Sequence, residues 1–476
     1  MPLQKRSMWW SWKDVTLDEM KAFIGVIINM GMNAKPEIDD YFSTDWVDYQ
    51  PFFKDFFSRE RFLQIFWNLH LSPPPNGPRL GTLTRFGKVR NVVLYLDKEF
   101  REYYVPKNKV SVDESTIGYK GKILFKVYNK DKPTKWGIKV FVLSESSSGY
   151  ICALEPYFGK STTDRMERQD LGVTSRVVLH LVNKLRYDYG SEGLHVFTDR
   201  FYTNVDLAEA LYEMKVHITG TIMRQRKGLP EQVRPKRKSK SKNARKGKKN
   251  QKQKKEVPKL ELKRGDIKAF RKDDKYNLLL WRDTNLVVML SSLYDTSVET
   301  IRRVKKRGKI EEIKKPRVVC EYNQSMGGVD IADQYISSYS FTRKSIKWWR
   351  KVFFWLLETA IVNAYLLYNM DKCQGKMRQR KFRKELIKEL VGNVRNVKKR
   401  GRPSNMDEDE RLNGKLHLLY PIGPGKAAKD CCVCSDRSAA GTRKRTRYFC
   451  KTCEKEPGLC IGQCFERYHT DKKVKN

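Results

Sequence analysis

Apolar residues recur at helical spacing through the first hundred positions. In "TLDEMKAFIGVIINMGM", Thr16 stands as a helix N-cap with Glu19 three residues on, ahead of an apolar face repeating every three to four residues. "SRERFLQIFWNLHL" and "RNVVLYLDKEFREYY" repeat the pattern. From about residue 109 the period shortens. "KVSVDEST", "KWGIKVFVLSES", "YICALEPYFG" and "LHVFTD" are short β-branched and aromatic runs parted by Gly, Ser and Asn, which predicts strands, with "SESSSGY" as a hairpin loop. "NVDLAEALYEMK" predicts a helix capped by Asn204. Between 220 and 318 only a few strand-like segments stand out, among them "NLLLWRD" and "LVVMLSS". Helical texture returns from Val329 to about 395, a basic linker follows, and a Cys-rich tail closes the chain.

The longest apolar stretch, "VFFWLLETAIVNAYLLYNM" at 352–370, has nearly the length of a membrane span. Glu358 and Asn363 interrupt it and basic segments flank it, so a buried helix of a large helical domain is expected, with no membrane partner. The N-terminus has no apolar run long enough for a secretory signal.

Charge changes the picture. The 476 residues carry 97 Lys and Arg against 55 Asp and Glu, a net charge of +42. The run at 234–255 holds 13 basic residues and no acid, yet without it the chain still stands at +29. The folded parts are therefore basic themselves, and a polyanion, DNA first, is the expected partner rather than a small molecule. That run reads as a loop touching phosphate backbone, or as a localisation signal.

Against this background the isolated acids matter. Asp113 is expected to end the strand "VSVD", Asp199 the strand "HVFTD", and Asp330 to open a helix after Gly327 and Gly328, with Asp333 one turn on. Asp at such places often only caps or completes a turn. Three that converge from neighbouring elements would instead suit Mg²⁺ or Mn²⁺, and two such ions can cut a phosphodiester.

"SVDESTIGYKGK", "NKDKPTKWGIKVFVL", "VFTDRFYTN", "GTIMRQRKGLP" and "YNQSMGGVDIADQY" occur in an order that resembles the successive motifs of the piggyBac family of DNA transposases, from about residue 15 to the Cys-rich end. The resemblance implies an α/β, RNase H-like catalytic core at 109–219 and 319–333, interrupted by an inserted domain at 220–318. Around it would lie a mostly helical DNA-binding and dimerisation domain at 1–108 and 334–425, then a Cys-rich domain at 428–471 that recognises element ends. It implies a catalytic triad of Asp113, Asp199 and Asp330, with Asp333 nearby, holding two Mg²⁺ (or Mn²⁺). It also implies cut-and-paste chemistry through hairpins with joining at TTAA, by a homodimer in the nucleus. The family usually has Asn where this chain has Arg200, whose guanidinium would pair with Asp199 and compete with a metal.

The tail reads C-x2-C-x15-C-x2-C-x6-C-x3-C-x4-H: Cys431, Cys434, Cys450, Cys453, Cys460, Cys464 and His469. That spacing predicts two Zn²⁺ in a cross-braced arrangement, with Cys432 or another group as eighth ligand. "KKRGRP" (Lys398, Lys399, Arg400 and Arg402) has an AT-hook core for a narrow minor groove, or serves as a localisation signal. In "SFTRKSIKWWRK", Arg343, Lys344 and Lys347 are expected near the substrate. Trp348 would be a stacking face for an unpaired base, with Trp349 in the core. Trp136 is expected to be packed.

Overall fold

The computed structural model describes residues 7–72, 86–130, 132, 134–189, 193–235, 260–304, 310–341, 343–371, 375–392, 394, 411–412, 416–436 and 441–471. The chain forms two compact units, 1–395 and 396–476. The first opens with helices α1 (Leu17–Met32), α2 (Pro51–Phe56), α3 (Arg59–Asn68) and α4 (Arg90–Glu102). Thr16 caps α1 by accepting the Glu19 N–H at 3.2 Å. The Glu19 carboxylate does not turn back to complete a capping box; it takes both forks of Arg61 on α3 at 2.6 Å, tying the two helices.

A mixed sheet follows. Its strands are β1 (Lys109–Gly118), β2 (Val127–Tyr128), β3 (Trp136–Glu145), β4 (Ile151–Pro156), β5 (His195–Thr198), β6 (His217–Thr221), β7 (Ile267–Lys272), β8 (Tyr276–Arg282) and β9 (Leu286–Ser291). The order is β2-β3-β1-β5-β6-β9-β8-β7, with β4 beside β2 on the outer flank of β3. β1, β5 and β6 run parallel and the other pairings are antiparallel. Helices α5 (Lys160–Asp164) and α6 (Val173–Tyr189) connect β4 to β5, and α7 (Val205–Glu213) connects β5 to β6. As expected, Asn204 caps α7, accepting the Leu207 N–H at 2.9 Å.

Within the 220–318 stretch, β7, β8 and β9 join this sheet at β6, while β10 (Val298–Val304) and β11 (Ile310–Pro316) pair with each other in a sheet of their own. Alternation gives β8 and β9 two apolar faces: Leu278, Leu280, Val288 and Leu290 enter the main core, while Leu279, Trp281 and Met289 form a smaller one with Val318 and Val319. The β10–β11 hairpin leads into helix α8 (Arg317–Ser325), which the sequence pattern did not separate from its surroundings.

The last helices of the unit are α9 (Gly328–Ser338), α10 (Trp348–Met370) and α11 (Gln379–Val391). α10 is long and apolar enough to cross a membrane, and its two polar interruptions are tertiary clips. Asn363 donates to the Ile151 carbonyl at 2.9 Å and accepts its N–H at 3.0 Å, so one amide satisfies both backbone groups at the start of β4. Glu358 pairs with Arg383 of α11 at 2.6 Å, both side chains at 2 % exposure or less. A second core, rich in Phe23, Phe53, Phe62, Phe66 and Phe354, joins α1–α3 to α10 and α11.

The second unit has little apolar core. Buried Cys450, Cys453 and Leu459 are its centre, around two short strand pairs and helix α12 (Gln463–Thr470).

Candidate active site and zinc centres

β1 and β5 are parallel neighbours in a register that sets Val112 opposite Thr198. One residue further on, Asp113 and Asp199 therefore stand level, and residues level across a parallel pair share a face. Asp199 follows the last residue of β5, as expected, and its Oδ1 accepts the Phe201 N–H at 2.9 Å as the chain turns away. Asp113 does not end its strand. β1 continues to Gly118 because β3 pairs with it along its whole length, so Asp113 marks the level at which β1 outruns β5.

Helix α9 lies across β1 and β3. Gly328, within the helix and not ahead of it, permits the approach: a Cβ there would stand 2.5 Å from Ser111 Oγ, 2.7 Å from Ser144 Oγ and 2.8 Å from the Glu145 carbonyl. Ser111, Asp113 and Ser115 share one face of β1 by alternation, and Ser115 Oγ donates to Asp333 Oδ1 at 2.7 Å. Asp330 sits in the first turn of α9 with its side chain 64 % exposed, and Lys132 Nζ lies 3.8 Å from its Oδ1.

The electrostatics are those of acids crowded without enough cations. Burial, with Glu114 adjacent, pushes Asp113 up to about 8. Burial raises Asp333 to about 6 and raises Asp199 as well. Burial alone would raise Glu114, but hydrogen bonds with Asp113 and Lys139 hold it below its usual range. Burial works against the Lys132 ammonium, yet Asp113, Asp330, Asp333 and Glu114 together raise it, which makes Lys132 a shared counter-ion. An all-oxygen, partly protonated set of this kind fits a hard divalent cation: Asp113, Asp199 and Asp330 would hold it, with Asp333 beside them. The oxygens are brought to one region but not closed on a point. Among the described residues, the groups of three or more ligand atoms lying within 4.8 Å of one another are both Cys/His clusters.

The charge of Arg200 acts on Asp199, lowering it against the raising effect of burial. No ion pair joins them among the described residues; Arg200 is exposed and lines a separate cleft with Thr221, Arg224 and Gln225. The positioning groups Glu114, Ser115, Lys132 and Lys139 were not singled out from the sequence. They sit inside the quoted motifs, but nothing local distinguishes Lys132 from the neighbouring lysines of "NKDKPTK".

A cleft of about 640 Å³ opens beside Asp330 and Asp333, lined also by Lys132, Gln334 and Lys351. No continuous helix carries it onward, because α9 stops at Ser338 and α10 starts at Trp348. Lys344 and Lys347 are exposed along this connection. Arg343 is largely committed to structure, donating to the carbonyls of Lys35 at 3.1 Å and Pro36 at 3.0 Å. Trp348 is not a free stacking face: it packs between Phe125 and Phe158 at ring distances of 5.2 and 5.4 Å. Trp349 is buried. Trp136, expected to be packed, is half-exposed, paired with Tyr128 at 4.7 Å and covered by Lys126. Lys398, Lys399, Arg400 and Arg402, and most of the basic run, lie outside the described residues.

In the second unit the predicted ligands fall into two clusters, Cys431–Cys434–Cys460–Cys464 and His417–Cys450–Cys453–His469. They alternate along the chain, which is the cross-brace. The eighth member is His417; Cys432 belongs to neither cluster. With Zn–S at about 2.3 Å and Zn–N at about 2.05 Å, a tetrahedral ion sets S···S at about 3.8 Å and S···N at about 3.6 Å. The observed spacings match: Cys434–Cys460 3.8 Å, Cys450–His417 3.6 Å, Cys453–His417 and Cys453–His469 3.5 Å. His469 Nδ1 lies 2.8 Å from the Phe465 carbonyl, which turns Nε2 to the cluster. Burial works against ionising Cys431, but backbone N–H groups of Cys434, Val433 and Cys460 bring its thiol down to about 7. Both clusters are consistent with zinc binding.

Comparison with known proteins agrees with this geometry. Residues 3–365 match the family model described as Transposase IS4, and 419–470 match the DDE_Tnp_1-like zinc finger. The class is thus a mixed α/β DDE transposase core followed by a Cys-rich zinc-binding region. Within that class, the chain belongs to the family of piggyBac transposases and piggyBac-derived proteins. It is 25% identical over 467 residues to human PiggyBac transposable element-derived protein 3, covering 96% of this chain and 71% of the relative. It is 24% identical over 362 residues to human PiggyBac transposable element-derived protein 2, covering 75% of this chain and 56% of the relative. A solved structure, the piggyBac transposase synaptic complex with hairpin DNA, shares the fold at TM-score 0.66 and 22% identity, over 96% of this chain and 88% of its own.

Proposed function

We propose that this chain is a metal-dependent cut-and-paste DNA transposase with an RNase H-like core. Asp113, Asp199 and Asp330, with Asp333 assisting, hold two Mg²⁺ or Mn²⁺ ions. The observation that carries the reading is the level placement of Asp113 and Asp199 on parallel strands, beneath a helix that delivers Asp330 and Asp333. Such ions, when bound, supply activation of a water or hydroxyl and neutralise the charge on the leaving oxygen. The chain's own residues do the positioning. Ser115 orients Asp333, Lys132 offsets the crowded carboxylates, and Lys344 and Lys347 lie where a phosphodiester backbone would pass. The reaction nicks an element end by water attack, closes a hairpin through the freed 3′-hydroxyl, reopens it and joins the end at TTAA. A homodimer in the nucleus handles the two ends, and the zinc unit grips them. The hairpin DNA in the similar solved complex supports this assignment.

The test is Mg²⁺-dependent cleavage of element-end DNA beside TTAA, or joining of a precut end into plasmid, by wild type and Asp330→Ala. Activity lost in the variant supports the reading. DNA binding without cutting by wild type overturns it in favour of a second reading, a transposase-derived DNA-binding protein. The open spacing of the aspartates and the human relatives named as element-derived favour that alternative. Mn²⁺ binding that is lost on Asp113→Asn separates the two.

A further inference from the structure

Arg350, near the start of α10, is 1 % exposed and has no carboxylate partner among the described residues. Its guanidinium lies against the rings of Phe66, Trp67 and Trp349 at 4.8, 4.9 and 5.3 Å. One arm donates to the Trp67 carbonyl at 2.9 Å, while Nε has no acceptor. A buried, incompletely satisfied cation is costly unless something else completes it. It lines a cleft of about 500 Å³ whose other walls include Trp67, Ile346, Lys347 and Lys351 and, among the described residues, contain no acid. Phe341, Lys351 and Phe354 are common to this cleft and the one beside Asp330 and Asp333, so the two meet there. Burial lowers Lys351 and Arg350, and burial together with Arg350 and Lys88 lowers Lys347, so the positive charge lacks nearby compensation.

Charge without acid calls for an anion, and the apolar walls call for a flat, weakly polar body attached to it. Both belong to a nucleotide. Resting on the transposase reading above, we propose that this cleft takes one nucleotide swung out of the DNA stack beside the cutting centre. Its base lies against Trp67, which is 44 % exposed, and its phosphate faces Lys347, Lys351 and Arg350. The role assigned from sequence to Trp348 passes to Trp67, whose ring is backed by a cation and remains open to solvent.

The test uses the full chain and a hairpin-ended duplex carrying 5-iodouracil at the tip. Irradiation is followed by mapping of the cross-linked peptide and, separately, by fluorescence anisotropy for overall affinity. The expected cross-link falls on Trp67 or within 343–351. Trp67→Ala and Lys347→Ala each lower its yield about tenfold, and Trp67→Phe retains it. Overall affinity changes much less in Trp67→Ala, because the backbone contacts persist. Both positions are exposed, and circular dichroism checks their folding, which Arg350 variants would put at risk. A tip bound normally but cross-linked elsewhere, or a yield unmoved in both alanine variants, overturns the nucleotide cleft and leaves the transposase reading standing. Wild type that fails to bind the hairpin DNA overturns both.

Discussion

The two candidate metal regions are built in opposite ways. The Cys-rich unit draws its eight candidate ligands from 53 residues, His417 to His469, and among the described residues its buried apolar centre is two of those ligands and Leu459. The carboxylates come from Asp113 to Asp333 and rest on a nine-stranded sheet with a large core. In the first region the ligand atoms already stand at tetrahedral spacing; in the second the acids are near one another but open. The first arrangement is consistent with a fold organised around zinc, whereas in the second the fold positions the acids whether or not a metal is bound.

The largest effect should follow from zinc removal. Chelation or Cys450→Ser should unfold 417–470, since structural zinc contributes roughly 10–16 kcal/mol in small domains, while the sheet of the first unit keeps its circular dichroism. Zinc content measured by mass spectrometry should be two per chain, should fall in His417→Ala, and should stay at two in Cys432→Ala. A loss in Cys432→Ala would undo the ligand assignment.

The first unit should respond to its packing instead. Glu358→Ala strands Arg383 in the core and should cost about 3–5 kcal/mol in urea unfolding. An unchanged midpoint would mean that this pair does not clip α10 to α11.

The crowded acids predict a pH dependence in chelator. Folded protein keeps the Asp113 proton to about pH 8, whereas the unfolded chain releases it near about pH 3.9. The stability tied to this group is therefore full below about pH 4 and is lost as pH rises through about 8. Asp113→Asn should flatten that decline and be the more stable protein at pH 8; parallel curves would refute the assignment.

Smaller shifts sharpen the charge account. Lys132→Met should tighten Mn²⁺ several-fold by calorimetry, given the roughly 1 kcal/mol expected of a half-exposed pair. Arg200→Asn should change it by less than about twofold; a large gain would restore Arg200 as a competitor.

Much of this was legible in the sequence because it is local. Thr16 and Asn204 declare their helices by capping, and the Cys pairs declare zinc by spacing. What depends on partners was not. Asp113 reads as a strand end from "VSVD", yet β3 extends β1 past it, and no local pattern encodes that pairing. His417 precedes the first Cys by enough residues that counting from Cys431 misses it. The sequence points to Trp348 as the stacking residue and does not single out Trp67. Only the packing of Phe125 and Phe158 on one, and of Arg350 on the other, tells them apart.

Gly328 gives the acidic centre an unusual kind of adjustability. It contributes no charge, ligand or hydrogen-bonding side chain, yet two serine hydroxyls and a carbonyl lie where its first carbon would go. A methyl group there would act as a shim under one end of a rigid rod. Because Asp330 and Asp333 ride on that rod, both would lift from Asp113 together, with every acid still in the chain. The spacing of the centre is thus set by the thickness of an atom that is not there.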